Sequence, residues 1–247
     1  MREITLLRAA SVADLDAEAA TALIAARDPA LPLAYVVSVN AQIMILAEES
    51  ANGLAAAHAG AWLRLNDSRV LARLQRLVGG EAVPVAAGSD ITRLLLERVI
   101  RPEDPITIIG GGPEIVAALR ARFGLTQVAQ HEPPMGFAAI PEARAAAVAF
   151  ARAHPARFLF VATGAPRSEL LMAQMVAEGG VTGVGLAVGS GLLFAVGLTR
   201  RAPEWMQRAG LEWLHRAWTE PMRLGRRYAA DLPPLLRLTW RAWRRGA

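Results

Sequence analysis

Three kinds of residue in this sequence could do chemistry. Two carboxylates sit in loops between apolar segments: Asp67 in Asn66-Asp67-Ser68, and Asp90 in Gly88-Ser89-Asp90. A carboxylate so placed can take a proton from an attacking hydroxyl. It can also cap the helix that follows, and on residue type alone the cap is favoured for both. Glycines follow apolar runs at Gly110-Gly111-Gly112-Pro113, at Gly164 and at Gly189-Ser190-Gly191. Such loops offer backbone N–H groups and a helix N-terminus to an anion, or they only turn tightly. The dinucleotide fingerprint is excluded, because Ile115 stands where its third glycine belongs. Finally, Arg216, Arg223, Arg226 and Arg227 recur at helix-compatible intervals around Pro221. Guanidinium forks in that pattern match a diphosphate, or they form a solvated basic face. The four histidines show no metal-ligand spacing.

These groups need a frame. Leu33–Ser38, Ile106–Ile109, Phe158–Ala162 and Val181–Leu186 are short, continuous apolar runs. That is the pattern of strands covered on both faces. Trp62–Leu65 and Val128–Gln130 read as weaker strands. Between them lie helical stretches: 11–27 with Ser11 as its cap, 41–58, 69–78, 91–100, 113–123, 142–154 and 167–178. Alternating strands and helices predict an α/β fold with a mainly parallel sheet and helices on both faces, Rossmann-like. Ligands of such sheets sit outside the C-terminal strand ends. Ser38, Asn40, Asp67, the Gly110–Gly112 loop, the run Thr163 to Glu169 and the Gly189–Gly191 loop all fall there. A boundary is expected near residues 198–203, dividing an α/β core (1–199) from a helical Arg/Trp-rich appendage (200–247).

The appendage carries five of the six Trp and a net charge of +7, against −2 for the preceding 199 residues. That concentration points to an anionic partner. Trp205, Trp213 and Trp218 read as packing anchors. Trp240 and Trp243, with Arg237, Arg241, Arg244 and Arg245, form a basic aromatic segment suited to an anionic bilayer surface. A nucleic-acid binder is disfavoured, since the excess charge is confined to this one segment. At 53% hydrophobic the chain is not disordered. It has no Cys, which fits a cytosolic location, and no Lys, so any phosphate site must use Arg or backbone N–H groups. Acidic residues cross the N-terminal window where a signal core would lie. Val181–Thr199 is uncharged for nineteen residues, but its five glycines favour strand, loop and a second apolar segment over a membrane span.

From Thr163 the sequence resembles a known family. TGAPRSE, then Arg-Ala-Pro-x-Trp, Gly-Leu-Glu-Trp-Leu-x-Arg and Glu-Pro-x-Arg, are similar to the WecG/TagA/CpsF bacterial glycosyltransferases. VVSVNAQIMILA, the NDS loop, AGSDIT and IIGGGPEIV extend the resemblance back to about residue 30. It implies transfer of a sugar from a UDP-sugar to a polyprenyl-diphosphate-linked acceptor at the cytoplasmic membrane face, with inversion and without an obligatory metal. No cofactor beyond the UDP-sugar substrate is implied. By the family motifs, Asp67 matches the general base, and Ser38 and Asn40 match a Thr-x-Asn active-site element. Arg216, Arg223 and Arg226 match positions that bind the UDP diphosphate. Gly110, Gly111, Gly164, Pro166, Ser168, Glu169 and Gly189 are carried as substrate-binding positions. The chain departs from the pattern at Ser68 (usually Gly), at Ser38 (usually Thr) and at Ser168 (usually Gln). The last departure points to altered sugar specificity: an N-acetylmannosamine-type residue or another hexose. A catalytically decayed, membrane-associated scaffold is the alternative, and a homo-oligomer is left open.

Overall fold

The computed structural model describes residues 1–48 and 53–245, the side chain of Arg223 excepted. Its centre is a six-stranded, wholly parallel sheet. In chain order the strands are β3 (Ala34–Val39), β4 (Leu63–Asn66), β5 (Ile106–Gly110), β6 (Val128–His131), β7 (Phe158–Ala162) and β8 (Val184–Ala187). They lie in the order β4-β3-β8-β7-β5-β6. A separate antiparallel hairpin, β1 (Glu3–Leu6) with β2 (Ala10–Ala13), precedes them.

Both sheet faces are covered, as the apolar runs require. One face carries α1 (Ala17–Ala26), α5 (Gly88–Arg98), α6 (Ile115–Phe123) and α9 (Gly191–Val196), through Ile24, Leu95, Leu119 and Leu192 against Leu63, Ile108 and Phe160. The other carries α7 (Pro141–Ala153) and α8 (Arg167–Glu178), through Val148, Met172 and Met175 against Tyr35, Val37 and Val161. Each fully buried Leu, Ile or Phe side chain contributes about 1.5–3 kcal/mol of burial free energy.

A third apolar cluster joins the two ends of the chain. Ile4, Leu6 and Val12 of the hairpin pack with Met44 and Ile45 of α2 (Ala41–Glu48) and with Leu71 of α4 (Arg69–Leu77). Leu238 and Ala242 of the long helix α12 (Arg226–Arg244) complete it. The rest of the C-terminal segment is α10 (Glu204–Arg208), α11 (Glu212–Thr219) and one π-helical turn at Pro221–Gly225.

Several expectations are corrected. Ser11 does not cap a helix; Ala10–Ala13 is a strand, and Asp16 caps α1 by accepting the Ala19 N–H at 2.9 Å. The hydrophobic alternation of so short a hairpin is easily absorbed into the helical run after it. The predicted helix 41–58 is two helices, α2 and α3 (Leu54–Ala59), with residues 49–52 between them outside the described set. Trp205 and Trp218 are 64% and 84% exposed, so they anchor nothing in this chain. Trp213 is also exposed, although its ring meets Tyr228 edge-on at 6.1 Å. Val181–Thr199 forms β8, a glycine turn and α9, as expected. No described helix is long and apolar enough to cross a membrane.

Candidate active site

The parallel register builds the site at the C-terminal edge of the sheet. Val39 of β3 pairs with Asn66 of β4, so the next residues on each strand, Asn40 and Asp67, leave the sheet side by side. Asn40 caps α2: its Oδ1 accepts the Ile43 N–H at 3.1 Å. That bond fixes the amide orientation and turns Nδ2 towards Asp67 Oδ2, 3.5 Å away. The other oxygen, Oδ1, accepts the Gly88 N–H at 2.9 Å. Gly88 is the first residue of α5, so the carboxylate sits at a helix N-terminus.

Asp67 is not the cap of α4. Ser68 fills that role, its hydroxyl accepting the Leu71 N–H at 3.2 Å. The backbone of Ser68 is extended (φ −124°), a conformation open to any residue. The departure from glycine at this position therefore supplies a cap and leaves Asp67 free for the site. Burial pushes the Asp67 carboxyl up to about 6; the Gly88 N–H and the Asn40 amide hold it back from rising further. Glu212 adds to the rise and Arg201 opposes it. At neutral pH such a group is mostly ionised yet basic enough to accept a proton.

Ser38 lies against the same turn. A Cβ added at Gly88 would stand 3.0 Å from Ser38 Oγ, so glycine lets the α5 amide and this hydroxyl sit close without either giving way. Asp90 does not cap α5, whose N-cap is Ala87. Its carboxylate instead meets Arg201 Nη1 at 2.5 Å. Arg201 also grips Glu212 of α11, Nε to Oε1 at 3.3 Å and Nη2 to Oε2 at 3.4 Å. Arg216, four residues after Glu212 on α11, is half-buried with its guanidinium 5.9 Å from the Phe194 ring centre on α9. Arg226 is exposed at the start of α12, and Arg227 pairs with Asp231 at 4.0 Å. The Arg223 side chain lies outside those described.

The remaining predicted positions stand along the neighbouring strands. Gly110 pairs with Ala162, which sets the Gly110–Gly112 loop beside Thr163 and Gly164. The glycine loop is already tied down: Gly112 N–H goes to Glu132 Oε2 at 2.9 Å, and Gln130 Nε2 binds the Gly110 and Gly112 carbonyls at 3.0 and 2.8 Å. Gly110 has φ +82°, and a Cβ there would stand 3.1 Å from the Ala162 backbone. Close packing of two strand ends thus accounts for this glycine. Ser168 is buried, its hydroxyl 3.0 Å from that of Thr163 and donating to the Val161 carbonyl at 3.2 Å. Glu169 beside it is also buried, with Oε2 unpaired, and burial raises its pKa. Pro166 and Gly164 form the turn into α8, and Gly189 the turn into α9; both glycines have positive φ. Among the described residues no three His, Asp or Glu side chains are arranged to hold a metal ion.

The whole arrangement has a counterpart in sequence: the model of the glycosyl transferase WecG/TagA/CpsF family matches residues 4–247. The chain belongs to this family. The match runs through the hairpin, the sheet and the C-terminal helices alike, so this glycosyltransferase is covered nearly from end to end. Substrates of the family are, in general, a sugar donor and a lipid-linked acceptor. The residues that sequence reasoning missed are Gly88, Arg201 and Glu212. All three lie inside motifs quoted for the resemblance (AGSDIT, Arg-Ala-Pro-x-Trp and Gly-Leu-Glu-Trp-Leu-x-Arg). Their signal was present, but their roles depend on contacts between separate elements: Gly88 reaches Asp67 across 21 residues, and Arg201 reaches Asp90 across 111.

Proposed function

We propose that this glycosyltransferase moves a sugar, with inversion, from a UDP-sugar to a polyprenyl-diphosphate-linked saccharide in bacterial surface polysaccharide synthesis. Asp67 accepts the proton of the acceptor hydroxyl. The resulting oxygen nucleophile forms a bond to the anomeric carbon as the bond to the UDP oxygen breaks. Arg216, Arg223 and Arg226 receive the departing diphosphate, whose developing charge their guanidinium forks match. One observation carries this reading. A carboxylate with its pKa near 6 is held between a helix N–H and an oriented amide, next to a C-terminal segment that brings in arginines. Ser38 and Asn40 complete the catalytic edge. Residues 200–247 act as an appendage that clamps UDP and docks on the cytoplasmic membrane face. Trp240 and Trp243 are exposed on α12 beside Arg241 and Arg244, which supports that docking.

The buried Ser168 hydroxyl is spent on the protein itself, and this departure leaves the Asp67 base untouched. A panel of UDP-sugars with short-chain polyprenyl-diphosphate saccharides, in the presence of EDTA, tests the reading through UDP release. Acceptor-dependent release with one donor, abolished by Asp67→Ala with UDP affinity retained, is expected. Wild-type turnover in Asp67→Ala removes the base assignment. UDP binding without turnover across the panel points to a decayed scaffold.

A further inference from the structure

Among the described arginines near the site, Arg201 is the most fully engaged. All three of its guanidinium nitrogens meet carboxylates: Nη1 on Asp90, Nε and Nη2 in a fork on Glu212. The three side chains are largely buried, with 18% of Arg201, 22% of Asp90 and 29% of Glu212 exposed. An ion-paired network so sheltered is screened little by salt, and removal of one partner leaves the others uncompensated. Its position is the informative part. Asp90 is the third residue of α5, whose first residue, Gly88, holds the Asp67 carboxylate. Glu212 belongs to α11, one turn before Arg216. Arg201 therefore ties the helix that holds the base to the helix that carries a diphosphate arginine.

The charges around the base add a second consequence. Asp67 faces the Asn40 amide from the start of α2 and the Gly88 N–H from α5. From the C-terminal segment it faces Arg201 and Glu212. Glu212 disfavours the ionised form of Asp67 and Arg201 favours it, so how these two are held beside the base bears on its protonation.

We propose that Arg201 is a positioning residue: by holding Glu212 and Asp90 together beside Asp67, it links the seating of the C-terminal appendage to the protonation of the base. The inference rests on Asp67 being that base only for its catalytic meaning. The electrostatic link itself does not require turnover.

The test is therefore a titration. The protein is labelled with ¹³C at aspartate carboxyls, the Asp67 resonance is assigned by its loss in Asp67→Asn, and its midpoint is followed in each variant. Arg201→Gln should move the midpoint up, and Glu212→Gln should move it down, each by about half a unit or more. Shifts of opposite sign are not produced by a general loosening of the fold. Arg201→Lys keeps the charge and loses the fork. It should leave the midpoint near the wild-type value while amide exchange across Glu212–Thr219 speeds up about tenfold or more. Midpoints unchanged in both Arg201→Gln and Glu212→Gln, in folded proteins, overturn the link. Unchanged exchange in Arg201→Lys overturns the seating role. Turnover by Asp67→Ala would remove the base assignment while leaving either titration result intact.

Discussion

The Gly88 amide donates to Asp67 Oδ1 at 2.9 Å, and the same glycine, having no Cβ, leaves room for Ser38 Oγ. One residue thus orients the candidate base and passes under the hydroxyl beside it. Gly88→Ala would place a methyl 3.0 Å from Ser38 Oγ, tighter than most side chains tolerate, so Ser38 or the start of α5 must give by a few tenths of an ångström. A small misplacement of a base is costly in rate. Gly88→Ala should lower kcat/KM about tenfold or more with UDP affinity held within about twofold. Parallel kinetics and UDP titration check this.

Burial makes Asp67 a liability to stability and an asset to chemistry. Its folded pKa, about 6, lies above the ordinary 3.8. A carboxyl raised in this way stabilises the fold fully below pH 3.8 and loses that contribution as pH rises through 6. Two units correspond to about 3 kcal/mol. Asp67→Asn carries no such penalty. It should be more stable than wild type by about 1–3 kcal/mol at pH 7, the gain vanishing below about pH 4, while turnover falls about a hundredfold or more. In the wild-type enzyme kcat/KM should drop tenfold per pH unit below about 6. Urea denaturation and a pH–rate profile are the measurements.

The sequence made the sheet legible because each central strand is a short apolar run ending in glycine or a small polar residue. Strands β7 and β5 and helix α8 fall where periodicity and turn residues place them. The N-terminal hairpin was not legible: four-residue strands give too little alternation, and their burial draws on Met44, Ile45 and Leu71 and on Leu238 and Ala242, the last two more than two hundred residues away. Asp67 and Ser68 illustrate the same limit within the site. Both residue types cap helices, and only the observed bonds show that the serine caps and the aspartate does not. Arg201 was hidden for a related reason. In a segment with so many arginines, composition alone cannot separate the one that is forked by two carboxylates from those left for a ligand.

His58 gives a second pH-dependent term, of opposite sign. It is buried, its Nε2 has no partner, and burial with Arg64 nearby lowers its pKa to about 4. A histidine depressed in this way contributes fully above its ordinary 6.5 and loses that contribution as pH falls towards 4, about 3 kcal/mol in all. Across this window the loss from His58 opposes the gain from Asp67 as pH falls, so the wild-type curve should rise less steeply than that of His58→Leu. His58→Leu should uncover the Asp67 slope, with stability rising as pH falls from 6 to 4. Denaturation midpoints at half-unit pH steps would show it, and an unchanged curve would sink the assignment.

Arg216 lies over the Phe194 ring and Arg226 is exposed at the start of α12; the proposed function assigns both to the diphosphate. A charge-assisted hydrogen bond contributes about 1.5–3 kcal/mol. Arg216→Ala and Arg226→Ala should each weaken UDP binding about 10- to 100-fold, by calorimetry, while uridine binding changes far less. Equal losses for UDP and uridine would contradict a diphosphate role.

Helix α12 has two unlike faces. Leu238 is buried at 3% exposure among the hairpin and α2, whereas Trp240 and Trp243 are each 54% exposed. Leu238→Ala should cost about 2–4 kcal/mol of stability, the range for a leucine cavity. Replacing both Trp240 and Trp243 by Ala should leave stability within about 0.5 kcal/mol, because no core contact is lost. The same pair should govern adsorption to a bilayer, where an apolar face and cations act together. Sedimentation with vesicles rich in phosphatidylglycerol should fall about tenfold or more in the double variant. Pure phosphatidylcholine vesicles should bind the wild-type protein weakly. Undiminished binding of the double variant to anionic vesicles would move the docking surface off α12, to Trp205 and Trp218, which are exposed on α10 and α11.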